Sequence, residues 1–64
     1  MTREYRILTR VYDLRPGDRI LHKGEAKVVA EIQSLAAYSW FIFFTDGSEA
    51  MLKGSVNVEL LELA

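Results

Sequence analysis

Tyr38-Ser39-Trp40-Phe41-Ile42-Phe43-Phe44-Thr45, followed at once by Asp46-Gly47, is the stretch on which the fold turns. Aromatic and β-branched residues dominate it, and these side chains suit the pleated, half-buried surface of a strand. Gly47 fits the left-handed position that closes a hairpin, so the chain is predicted to reverse here and return over Glu49–Leu52. Cross-strand partners share a face, so loop length decides which aromatic residues are core. A loop of Asp46 and Gly47 alone pairs Phe44 with Glu49, Ile42 with Met51 and Trp40 with Lys53, which gives a mixed face. A loop of Thr45, Asp46 and Gly47 with a glycine bulge sets Phe44 against Ser48, Ile42 against Ala50 and Trp40 against Leu52. The second register yields one clean apolar face and is the one expected. It leaves Phe41 and Phe43 on the outer face, beside Glu49 and Met51.

Downstream, Lys53-Gly54-Ser55 makes a corner and Val56–Leu63 forms the last strand, with Val56, Val58, Leu60 and either Leu61 or Leu63 facing inward. Upstream, Val28, Val29 and Ile32 break strict alternation within Glu25–Gln33, which suggests a strand with a bulge. A helix over residues 26–37 competes, because Val28, Val29, Ile32, Leu35 and Ala36 also follow helical spacing. The strand is preferred, since β-branched residues open the segment and short strands flank it. Arg19–His22 reads as a short strand ending at Lys23-Gly24. Arg15-Pro16-Gly17-Asp18 reads as a type II turn, with proline presetting φ and Gly17 accepting a positive φ. Glu4–Tyr12 places Tyr5, Ile7 and Val11 on one alternate set and Glu4, Arg6 and Arg10 on the other, as in an added edge strand. The predicted core is Leu14, Ile20, Val29, Ile32, Trp40, Ile42, Phe44, Leu52, Val58 and Leu60.

These elements come from 64 residues, enough for one small domain and too few for two. There is no cysteine and a single histidine, which removes disulfides and makes a zinc site a poor reading. No apolar run reaches the roughly 18 residues of a membrane span, and no signal-peptide core follows the first arginines, so a cytoplasmic protein without membrane contact is expected. A core this small gives little net stability, and self-association is one way to bury more apolar surface. The formal charge of −1 hides an asymmetry. Residues 1–27 hold seven bases (Arg3, Arg6, Arg10, Arg15, Arg19, Lys23, Lys27) against four acids, a net +3, while residues 28–64 hold Lys53 against five acids, a net −4.

From Asp13 onward, the run Asp13-Leu14-Arg15-Pro16-Gly17-Asp18-Arg19-Ile20 leads to a glycine turn, a bent strand, an aromatic-ending strand and the Asp46-Gly47 hairpin. This run resembles the small Src-homology-3-like barrels, a group that includes Tudor and KOW domains and stand-alone modules of bacteria and phage. The resemblance implies an all-β fold, a small five-stranded barrel over residues 13–64, with residues 1–12 as an extra N-terminal strand or arm. The chain departs from a KOW motif at Ala30 and Glu31, where another glycine belongs.

Chemistry is sparse. His22 beside Lys23 has the makings of a general base but reads better as a solvated turn histidine. Asp13 and Asp18 flank the proline-glycine turn, where aspartates commonly bond backbone amides. No nucleophile elbow, phosphate loop or dinucleotide fingerprint is present. The expectation is a binding module rather than an enzyme, with no cofactor and no metal. Its expected protein interface is Phe41, Phe43 and Met51, because exposed aromatic patches on small domains mark contact surfaces. The partner would be another protein or a second copy. The rival is nucleic acid held by Arg3, Arg6, Arg10, Arg15, Arg19, Lys23 and Lys27.

Overall fold

The computed structural model describes residues 3–36 and 38–63. Residues 1–2 of the expected arm, residue 37 at the end of the alternative helix, and residue 64 lie outside the described residues. So does the side chain of Leu63, one of the two candidates for facing inward. Strand β1 (Glu4–Arg10) leads through a single 3-10 turn (Val11–Asp13) to β2 (Arg19–His22), β3 (Glu25–Ala36), β4 (Ser39–Phe44), β5 (Glu49–Lys53) and β6 (Asn57–Leu63). All pairings are antiparallel, and the six strands make one open sheet in the order β1-β6-β2-β3-β4-β5.

The β4–β5 hairpin sets the frame. Phe44 N–H donates to Ser48 O at 2.9 Å and Gly47 N–H to Phe44 O at 3.1 Å. Gly47 sits at φ 89, which side chains with a Cβ rarely adopt. The resulting pairs are Trp40–Leu52, Ile42–Ala50 and Phe43–Glu49, the register of the three-residue loop. A clamp holds the loop: Asp46 Oδ1 accepts from Ser48 N at 2.8 Å and from Ser48 Oγ at 2.5 Å. Lys27 Nζ lies 3.2 Å from Asp46 Oδ2, donates to Ser48 Oγ at 2.7 Å, and sits over the Phe44 ring at 5.4 Å.

Residues 25–36 form a strand, and the competing helix does not form. Helical spacing lost because the segment lies between two partners that supply a ladder on each side. Its first four residues pair with β2, and from Val29 onward it pairs with β4. The pairing shifts at Ala30, between Val29–Phe44 and Glu31–Phe43, and again between Ser34 and Ala36. The bulge lets Val29 and Ile32 both face the core although their spacing breaks alternation.

The core is Val11, Leu14, Ile20, Val29, Ile42, Phe44 and Ala50, with Ile32, Trp40, Leu52, Val58 and Leu60 packed against it. All ten residues predicted from the sequence belong to this cluster. Val11 and Ala50 are additional. Val11 is fully buried because β1 ends at Arg10, short of the predicted Tyr12, and the 3-10 turn swings the chain over the β5–β6 corner. There Val11 N–H donates to Val56 O at 3.1 Å and Tyr12 N–H to Gly54 O at 3.3 Å. Val56, expected to face inward, is instead 38% exposed. It closes the corner through its N–H, bonded to Lys53 O at 3.1 Å, and lies before the strand's inward alternation begins at Val58.

The proline-glycine turn comes out as its residues dictate. Asp18 N–H donates to Arg15 O at 3.0 Å and Asp18 Oδ2 accepts from Arg15 N at 2.8 Å, with Gly17 at φ 96. Gly54 is needed for a different reason from the one its place in a turn suggests. A Cβ there would lie 2.6 Å from Trp40 Nε1 and 3.5 Å from Tyr12 Cδ1, so the glycine is the floor on which both rings rest. Gly54→Ala is therefore expected to destabilise the fold by about 1–3 kcal/mol through overpacking. Trp40 is the only tryptophan, so denaturant unfolding followed by its fluorescence checks this directly. An unchanged midpoint would show that the Trp40 ring moves aside at no cost.

Candidate functional site

The hairpin register generates the first candidate surface. Alternation puts Phe41 and Phe43 on the face of β4 opposite Ile42 and Phe44, with Gln33 and Met51 beside Phe41 and Glu31 and Glu49 beside Phe43. The two phenyl rings stack on one another, centroids 5.9 Å apart and planes at 27°. That mutual cover leaves both half-buried, whereas Met51 is 62% exposed. Glu31 also accepts from Gln33 Nε2 at 3.1 Å, so the rim of the patch is polar and acidic. The arrangement is an apolar platform bounded by carboxylates, and it suits a partner with apolar and basic side chains.

The seven basic candidates do not gather into one stripe. Arg3 precedes β1, Arg6 and Arg10 lie on β1, Arg15 in the proline-glycine turn, Arg19 on β2, Lys23 in the β2–β3 turn and Lys27 on β3. Three of them are engaged by acids within the chain: Arg6 with Glu59 at 3.5 Å, Arg19 with Glu4, and Lys27 with Asp46 at 3.2 Å. Arg10 stacks over the Tyr12 ring at 5.8 Å and donates to its hydroxyl at 2.5 Å. The sequence asymmetry is thus folded back in part, since Glu59 of β6 and Asp46 of the β4–β5 loop reach Arg6 and Lys27, while the Arg19–Glu4 pair lies within the basic part. Lys23 takes φ 51 next to Gly24 at φ 81, the pair of positive φ values that a two-residue primed hairpin requires.

A second feature is a concavity of about 490 Å³ beside the end of β2. Strands β2 and β6 pair only at Ile20–Leu60 and Leu21–Glu59, then part, and the opening is lined by His22, Lys23, Leu52, Asn57, Val58 and Glu59 among others. His22 is half-buried, its ring 5.5 Å from that of Phe44, so it is less solvated than its turn position suggests. Burial lowers its pKa from 6.5, reinforced by the charges of Lys23 and Lys27 and opposed by Glu25. It has no carboxylate hydrogen bond among the described residues to orient it as a base.

Among the described residues no three potential ligands cluster to hold a metal ion, and no helix is long and apolar enough to cross a membrane. Sequence reasoning missed Gly54 as the place where Trp40 and Tyr12 both rest, and it gave no separate weight to Ile7 and Leu8. The signal for the latter pair was present: an apolar dipeptide within a predicted edge strand places one large side chain on each face. Comparison with protein-family models, curated proteins and solved structures finds no match to this chain.

His22 and Asp46 set two acid-sensitive windows. The neutral form of His22 is favoured by the fold, so its contribution is present above 6.5 and is lost as pH falls from there toward the lower folded value. Asp46 is held down from 3.8 to about 2 by hydrogen bonds from Ser48 and Lys27, so its contribution is lost only between those values. Stability measured by unfolding at a series of pH values should decline first just below 6.5 and again below 4. His22→Gln should remove the first decline alone, and Asp46→Asn should weaken the second. An upper decline that persists in His22→Gln would assign it to another group.

Proposed function

We propose that the chain is a non-enzymatic binding module of the cytoplasm, built on a small Src-homology-3-like barrel, that acts through protein–protein contacts including self-association. The barrel reading is supported by the bent β3, which serves both halves of the sheet, and by the five strands β2–β6 that remain when β1 is set aside. The binding reading rests on one observation, the stacked Phe41–Phe43 pair with exposed Met51 on the outer face, rimmed by Glu31 and Glu49. A stacked pair presents a rigid apolar platform at low entropic cost, which is how aromatic residues come to dominate contact energetics. The acidic rim selects against phosphate and in favour of basic side chains.

A second reading, nucleic-acid binding, keeps one specific support: Arg3, Arg10, Arg15 and Lys23 have no acid partner among the described residues. Salt separates the two. Phosphate contacts weaken steeply between low and moderate salt, whereas a mainly apolar contact is nearly indifferent.

Proteins captured from the native host by the tagged chain are expected to stay bound at moderate salt and to be lost with Phe43→Ser, while the thermal unfolding of that variant stays close to that of the parent. Unfolding of Phe43→Ser would place Phe43 in the core and overturn the outer-face reading. Capture of DNA or RNA that vanishes with Arg6→Glu and Arg10→Glu together would move the function to the basic arm.

A further inference from the structure

Strand β1 is an edge with nothing on its free side among the described residues, and six of its seven residues are exposed. Its exposed side chains include Tyr5 (48%), Ile7 (45%) and Leu8 (69%). A seven-residue edge strand offers its unpaired N–H and C=O groups as a template for another strand. The order of residues along β1 specifies which strand fits. Ile7 is the middle residue of Glu4–Arg10, so an antiparallel copy centred on it opposes Ile7 to Ile7, Tyr5 to Thr9, Arg6 to Leu8 and Glu4 to Arg10.

This register satisfies both faces at once. On the face shared with Val58 and Leu60, the apolar residues Tyr5 and Ile7 meet Thr9 and Ile7 of the copy. On the other face, Glu4 meets Arg10 at each end, an opposite-charge pair of the kind that stabilises cross-strand neighbours. Glu4 already accepts from Arg19 through Oε1, and Arg10 donates to Tyr12 through one nitrogen, so a carboxylate oxygen and further guanidinium donors remain for the pairing. Other registers are worse. Sliding by two residues opposes Arg6 to Arg6 in one direction and Arg6 to Arg10 in the other, and sliding by one exchanges the faces. The opposite edge, β5, also reads acid to base from Glu49 to Lys53, but it is two residues shorter and offers only Met51 as an exposed large apolar side chain.

We infer that the chain forms a two-fold symmetric dimer in which β1 pairs antiparallel with β1 of a second copy, centred on Ile7, joining the two sheets into one. The inference deepens the reading of the chain as a protein-contact module, naming a second copy as one of its partners. It leaves the Phe41–Phe43 face free for another.

The chain contains no cysteine, so single cysteines report the contact cleanly. At the centre of an antiparallel pair the two Cα atoms are about 4.5–5.5 Å apart, within the reach of a disulfide. Under mild oxidation Ile7→Cys should cross-link into a dimer of twice 7.3 kDa, several-fold faster than Leu8→Cys. Random collision predicts the reverse, because Leu8 is the more exposed. Glu4→Arg and Arg10→Glu should each abolish the dimer mass measured by light scattering, and the double variant should restore it. Phe43→Ser should still dimerise, so loss of the partner-binding reading and loss of this one are separable. A native chain that remains 7.3 kDa at all concentrations overturns the inference. So does preferential cross-linking of Met51→Cys, which would put the contact on β5, or of Phe43→Cys, which would put it on the aromatic face.

Discussion

The register of the β4–β5 hairpin is the constraint on which the rest of the structure depends. Gly47 permits the positive φ, and the Asp46–Ser48–Lys27 clamp holds the loop to the first half of β3. A slip of one residue would turn Ile42 and Phe44 outward and Phe41 and Phe43 inward, exchanging core and surface across the whole aromatic strand. Lys27 makes the clamp more than local. It ties the loop to the strand that begins against β2, and its ammonium over the Phe44 ring closes one end of the core. A residue that reads in the sequence as part of a basic surface is used to brace the fold.

Charge illustrates how folding rewrites a linear pattern. The chain is basic in its first 27 residues and acidic afterwards, which suggests two oppositely charged surfaces. Antiparallel pairing undoes part of that separation. Strand β6 from the acidic part lies between β1 and β2 from the basic part, so Glu59 reaches Arg6, and the β4–β5 loop brings Asp46 to Lys27. Exposed ion pairs such as Arg6–Glu59 contribute little to stability, about 0–1 kcal/mol each. Their effect is on recognition, because they lower the positive potential that a phosphate backbone would meet.

The small core explains why so much apolar surface remains outside. Seven buried side chains and five partly covered ones occupy the space enclosed by the bent sheet, and β1 lies beyond its edge. Tyr5 and Ile7 point to the same side as Leu60 but extend past the packed interior, so they stay about half exposed. The same geometry leaves Phe41 and Phe43 stacked on each other on the outer face, beside Met51, Gln33, Glu31 and Glu49. Both surfaces follow from one fact: six strands carry more apolar side chains than a core of this size accommodates.

Much of this was legible in the residues. The all-β class, the hairpin register, the bulge in β3, the proline-glycine turn and ten core positions follow from alternation, β-branched content and turn chemistry, which are local properties of the chain. The outer placement of Phe41, Phe43 and Met51 followed from the register alone. What only the tertiary structure decided involves residues distant in sequence. Gly54 is a floor for Trp40 and Tyr12, Val11 is buried by a corner some forty residues downstream, and His22 is drawn against Phe44. Pattern cannot reveal these, because a side chain's surroundings depend on which strands become neighbours. The order β1-β6-β2 is set by the global packing of the sheet rather than by any single segment.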